Sequence, residues 1–223
     1  MGQLTEFFMK SAGGPPPGMG FSMPMMKGWV PRHVQPWLYV LTALCFQFSG
    51  GIYLGALDGI RGTTNFMIED ILFLLYATLA GMAVYFPTLF RMKFRFTNKQ
   101  LLCGSAIVLA ICNVLTMHCQ SMHVLMIVCF IAGMAKIQGT FECMSNIQLW
   151  ITPRRDFAVF FPVLHIILLT AIEGSGWLAA WFGHHFTWQM MHVFTIGTMS
   201  FVLLTQAIFC RPFCPMPQRL SLK

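Results

Sequence analysis

Between residues 36 and 210 the sequence runs through six apolar stretches, parted by links of only a few residues. A helix that crosses a bilayer needs about 20 mostly apolar residues. The stretches read as helices over 36–61, 71–90 ("ILFLLYATLAGMAVYFPTLF"), 100–117 ("QLLCGSAIVLAICNVLTM"), 122–149, 157–182 and 188–210. A closed sheet is excluded, because the segments are too long and lack in–out alternation. The expected fold class is all-α: a polytopic membrane protein with six transmembrane helices.

Composition agrees. Hydrophobic residues make up 57% of the 223, and charged residues only 9%, against about 25% in soluble domains. A net charge of +7 suits nucleic acid in principle. Here the basic residues fall between apolar runs, where membrane topology places them, so a nucleic-acid partner is excluded. The first 35 residues contain "SAGGPPPGMGFSMPMMKG", which has no apolar core of a cleavable leader. The domain reading is a flexible Gly/Pro/Met-rich tail over 1–35, a transmembrane domain over 36–210 and a second tail over 211–223.

Orientation follows from Lys and Arg. Lys10, Lys27 and Arg32 lie in the first tail, and Arg91, Lys93, Arg95 and Lys99 in the link after the second helix. Arg154 and Arg155 lie in the link after the fourth, and Arg211, Arg219 and Lys223 in the last tail. Twelve of the 14 basic residues therefore fall on one side. The positive-inside rule makes that side cytoplasmic. The expected location is the inner (plasma) membrane, multi-pass, with both termini inside.

Ionisable residues within apolar runs are costly unless paired or facing a wet cavity. Asp58 and Arg61 end the first stretch in "LGALDGIRG". Three residues apart, they share a helix face: they either neutralise each other or line a path. Lys136, in "GMAKIQGTFE", lies about 20 Å along its helix from Met122, too deep to reach the headgroups easily. Glu142 is turned about 240° from it, so the two meet different partners. Glu173, in "TAIEGSGWLAA", stands beside small residues that admit a close helix.

Of the eight cysteines, Cys45, Cys103, Cys112, Cys129 and Cys143 lie within apolar runs and read as small hydrophobes. Cys210 and Cys214 have no second pair nearby, a weak metal signal. No metal or cofactor is expected. The alternative reading is a standalone six-helix protein binding metal or haem through His and Met, with His118, His123, His184 and His185 at the links and His165 and His192 within helices. An enzyme is not expected: H-E-x-x-H, G-x-S-x-G and paired intramembrane aspartates are all missing from the sequence.

The order of these features resembles the N-terminal six-helix half of a major facilitator superfamily transporter, closest to the 14-helix drug:proton antiporter (multidrug efflux) type. "ALDG" is similar to the family's Leu-Asp signature, with Asp58 in the acidic place. "FRMKFRFTNK" keeps Arg95 and Lys99 of the family's cytoplasmic gating loop, while Phe90, Phe94 and Thr97 stand where Gly, Asp and Gly are expected. In "CFIAG", Cys129 takes the place of the family's fourth-helix arginine and Gly133 matches its glycine; Lys136 lies one turn on. "ITPRRDFA" keeps Pro153 and Arg155. In "SGWLAAWFGHHFTWQ", Ser175, Gly176, Ala179 and Ala180 keep small sizes for helix packing, the family's proline is missing, and Trp188 fits the start of the sixth helix.

The resemblance implies transport: half of a proton-coupled exporter of small amphipathic molecules. Asp58, Arg61, Lys136, Glu142 and Glu173 would form the substrate and proton pathway, and Arg95 and Lys99 the gating loop. Transporters of this kind have two six-helix repeats with the site between them. The expected partners are therefore the lipid bilayer, a small-molecule substrate, protons, and either a second transporter half, this chain being truncated relative to it, or another copy of the chain.

Overall fold

The computed structural model describes residues 26–27, 29–31, 34–50, 52–64, 66–151 and 157–210, with most of their side chains. The readings placed on 1–25, Pro153, Arg155, 211–223 and the Arg95 side chain lie outside the described residues.

Among the described residues the chain is all-α. It consists of α1 (Gln35–Phe48), a 3-10 turn (Leu54–Ala56), α2 (Leu57–Thr64), α3 (Ile68–Arg95), α4 (Asn98–His118), α5 (Met122–Ile151), α6 (Phe157–His185) and α7 (Gln189–Phe209). Four helices are long and apolar enough to cross a bilayer, over Ile68–Leu89, Asn98–His118, Met122–Ile147 and Gln189–Phe209. The protein therefore reads as a membrane protein, with four helices of spanning length and composition among the described residues.

The first stretch departs from the expected single helix. α1 stops at Phe48, and helix resumes only at Leu54. The cause is local: "SGG" follows Phe48, and two glycines in succession favour leaving the helix. Ser49 turns back and donates its hydroxyl to the Phe46 carbonyl at 2.6 Å. The Gly50 amide donates to the Tyr53 hydroxyl at 2.9 Å.

α5 lies at the centre, packed against α3, α4 and α1; α4 also packs on α7, and α1 on α6 and α7. The α3–α5 crossing brings backbone onto backbone. A Cβ on Gly81 would run into the Phe130 carbonyl, and one on Gly133 into the Thr78 carbonyl. Small residues permit this approach where lipid gives helices no hydrophobic reason to associate. Gly55 of the 3-10 turn likewise lies on the backbone of α6, where an added Cβ would meet the Gly176 carbonyl.

α4 begins with a capping box. Thr97 accepts from the Gln100 amide at 3.2 Å, and Gln100 accepts from the Thr97 amide at 3.0 Å, which satisfies two donors that a helix start leaves free. At the same end of the bundle the chain before α1 is already packed. Met26 and Val30 are buried, and Lys27 donates its amide to the Phe209 carbonyl at 2.8 Å. This is the basic end; the links around 66–67, 119–121 and 186–188 form the histidine end.

Candidate functional site

Polar side chains enter this apolar bundle in three places. At mid-bundle, Lys136 of α5 donates its ammonium to the Gln47 carbonyl at 3.1 Å. Gln47 belongs to the last turn of α1, whose carbonyls have no helical donors of their own. The Gln47 amide reaches Thr140 Oγ1 at 3.4 Å, and Thr140 donates to the Lys136 carbonyl at 2.9 Å. A cation at the negative end of a helix is favourably placed, so the lysine caps the broken first span.

Toward the basic end, Glu142 is 2% exposed. Asn98, the first residue of α4, donates to Glu142 Oε2 at 3.1 Å and to Asn146 Oδ1 at 2.8 Å; the Asn146 amide returns a bond to Asn98 Oδ1 at 3.1 Å. Tyr85 of α3 lies within electrostatic reach of this carboxyl, and the adjacent Phe86 and Phe141 rings meet edge to face at 5.3 Å. The Tyr85 hydroxyl is buried with no hydrogen-bond partner among the described residues. Among its described partners the Asn98 amide can donate to a carboxylate and to a carboxylic carbonyl alike.

Toward the histidine end, His192 of α7 is fully buried and pairs with Asn113 of α4, Nδ1 to Oδ1, at 2.7 Å. Tyr53 and Trp188 stand edge to face with its ring at 5.3 and 5.5 Å.

The expected pathway residues do not converge on one point. Asp58 and Arg61 are both exposed and line an open cleft of about 710 Å³ together with Glu69. Lys136 and Glu142 share α5 but take different partners, one on α1 and one on α4. Glu173 is exposed on α6. Lys99 donates to the Cys210 carbonyl just past α7 at 3.1 Å, so it ties the start of α4 to the end of the last helix. Gly176 and Ala180 receive Gly55 of the 3-10 turn, and Ala179 beside them is buried.

Sequence reasoning looked for charge and so passed over Asn98, Asn113, Asn146, Gln47 and Tyr53. The signal was present: amides inside apolar runs, as in "AICNVLT", need partners there as much as charges do. His118, His123, His184 and His185 are exposed, and among the described residues no three His, Cys, Asp or Glu side chains come together as a metal set. Comparison with protein-family models, with curated proteins and with solved structures finds no match to this chain.

Proposed function

We propose that this chain is one six-helix half of a proton-coupled exporter of small amphipathic molecules, organised like the N-terminal half of a major facilitator drug:proton antiporter. The observation that carries the reading is Glu142: a carboxyl 2% exposed inside an apolar helix of membrane-spanning length. Ionisable groups kept at such a position mark ion and proton routes in membrane proteins. In this reading α1, the 3-10 turn and α2 make the first span, broken at its middle, and α6 is the fifth. Both termini are cytoplasmic, and Glu142 binds and releases the coupling proton near the inner mouth.

Glu173 supports a second bundle. It lies on an exposed face of α6 with Ile166, Leu169, Ile172 and Trp177, all exposed. A carboxyl on such a face in a bilayer calls for cover by protein or water, and a second six-helix unit supplies it. That unit is a continuation of the chain, a separate subunit or a second copy. Asp58, Arg61 and Glu69 then form the charged outer mouth of the path.

The test is uptake of a fluorescent lipophilic cation by inverted membrane vesicles from cells that make the chain with its native partners. Uptake should require an inside-acid gradient, collapse with a protonophore, and be lost in Glu142→Gln vesicles holding normal amounts of the protein. Equal uptake by vesicles without the chain, or by the Glu142→Gln vesicles, would overturn the reading.

A further inference from the structure

His192 has a bond pattern that fixes its chemistry. The Asn113 side-chain amide donates to the Leu109 carbonyl at 2.8 Å, which sets its orientation and turns Oδ1 toward the imidazole. An amide oxygen only accepts, so the His192 Nδ1 must carry the hydrogen. In the neutral ring Nε2 is then a bare acceptor. It is buried and has no hydrogen-bond partner among the described residues.

The hydrogens around it are committed elsewhere. Thr195 donates to the Met191 carbonyl at 3.0 Å, so at its 2.6 Å contact with Tyr53 it accepts, and the Tyr53 hydroxyl donates. That hydroxyl also accepts from the Gly50 amide. Trp188 gives its Nε1 hydrogen to Thr63 at 2.7 Å. An unfilled buried acceptor is costly, so whatever fills Nε2 must bring its own hydrogen.

We propose that His192 Nε2 is a proton-binding site, reached by water when Tyr53 swings off the ring. The balance is simple: water-borne H⁺ forms an N–H bond at Nε2, nothing is oxidised, and the imidazolium keeps its Nδ1 hydrogen on Asn113. Tyr53 lies against the ring and is this cover, held down by its bonds to Gly50 and Thr195. A charged ring in an apolar interior needs hydration, so proton occupancy is tied to the cover's position. Tyr53 is a titratable group in contact with the ring. Beyond it, Cys129 acts on Tyr53, Cys112 precedes Asn113, and Asp58 and Arg61 lie exposed on α2, whose Gly59 lies against Trp188. The site does not depend on the chain being a transporter.

The test is ¹⁵N spectroscopy of the whole chain labelled at histidine, in lipid nanodiscs, with His192→Gln to assign the signal. At neutral pH His192 should show the Nδ1–H tautomer with an unprotonated Nε2, and Nε2 should take up a proton as pH falls. Tyr53→Phe keeps the ring and removes both hydroxyl bonds. It should raise the open population about tenfold and so move the titration midpoint up by about one pH unit. An Nε2–H tautomer at neutral pH, or an Nε2 shift that stays constant with pH as a permanently trapped water would hold it, would overturn the proposal. Identical midpoints with and without the Tyr53 hydroxyl would overturn the role of the cover.

Discussion

The Lys136 ammonium sits 3.1 Å from the Gln47 carbonyl oxygen and joins the middle of α5 to the broken end of α1. A cation in a favourable, partly buried place at a helix C-terminus contributes up to about 2 kcal/mol, while removing an ammonium from water costs several. The bond therefore does more to define where α1 ends than to add global stability. Lys136→Met should change overall stability little and raise hydrogen exchange of the amides around 46–53 about tenfold. Because the partner is a carbonyl, substituting any single acid should not rescue it. Unchanged exchange in this segment would contradict the capping role.

The Glu142 network separates charge from hydrogen bonding. Glu142→Gln keeps an oxygen for Asn98 and should lose less stability than Glu142→Leu in thermal or denaturant unfolding. Glu142→Leu strands one Asn98 hydrogen and should cost about 1–3 kcal/mol. Equal stability of the two variants would mean that Asn98 does not depend on this carboxyl.

Gly133 and Gly81 make a sharper test of packing. A Cβ at Gly133 would meet the Thr78 carbonyl, a backbone atom that cannot swing aside, whereas Gly104 has open space around it. Gly133→Ala should lower stability by about 1–3 kcal/mol, and Gly104→Ala, unhindered in a helix interior, should raise it by about 0.4–1 kcal/mol. Unfolding both in the same detergent provides the comparison.

The start of α4 rests on Thr97. Thr97→Ala should cost about 1 kcal/mol, and Thr97→Ser should keep most of the cap. Since Asn98 follows immediately, Thr97→Ala should also loosen the Asn98–Asn146 amide pair, readable as faster exchange of their side-chain hydrogens.

Much of the helical plan was legible because apolar length is a strong signal. The expected 122–149, 157–182 and 188–210 stand beside Met122–Ile151, Phe157–His185 and Gln189–Phe209. The first stretch misled because its hydropathy continues through Ser49, Gly50 and the residues beyond while its backbone propensity does not; the break shows in glycine, not in polarity. Lys136 and Glu142 stood out as charges, but their partners did not. A backbone carbonyl leaves no mark in sequence, and Asn98 looked like part of a link. His192 was visible only as a histidine, since its tautomer depends on Asn113, 79 positions away.

The most direct measurement is the mass of the native assembly. The chain, tagged at its N-terminal tail in the source cell, would be extracted in native lipid discs and its protein mass determined. If this is half of a transporter, the mass should be at least twice the chain's 25.2 kDa, with Glu173 cross-linking to the added unit. A single 25.2 kDa chain alone in its disc, with the Glu173 face against lipid, would contradict it.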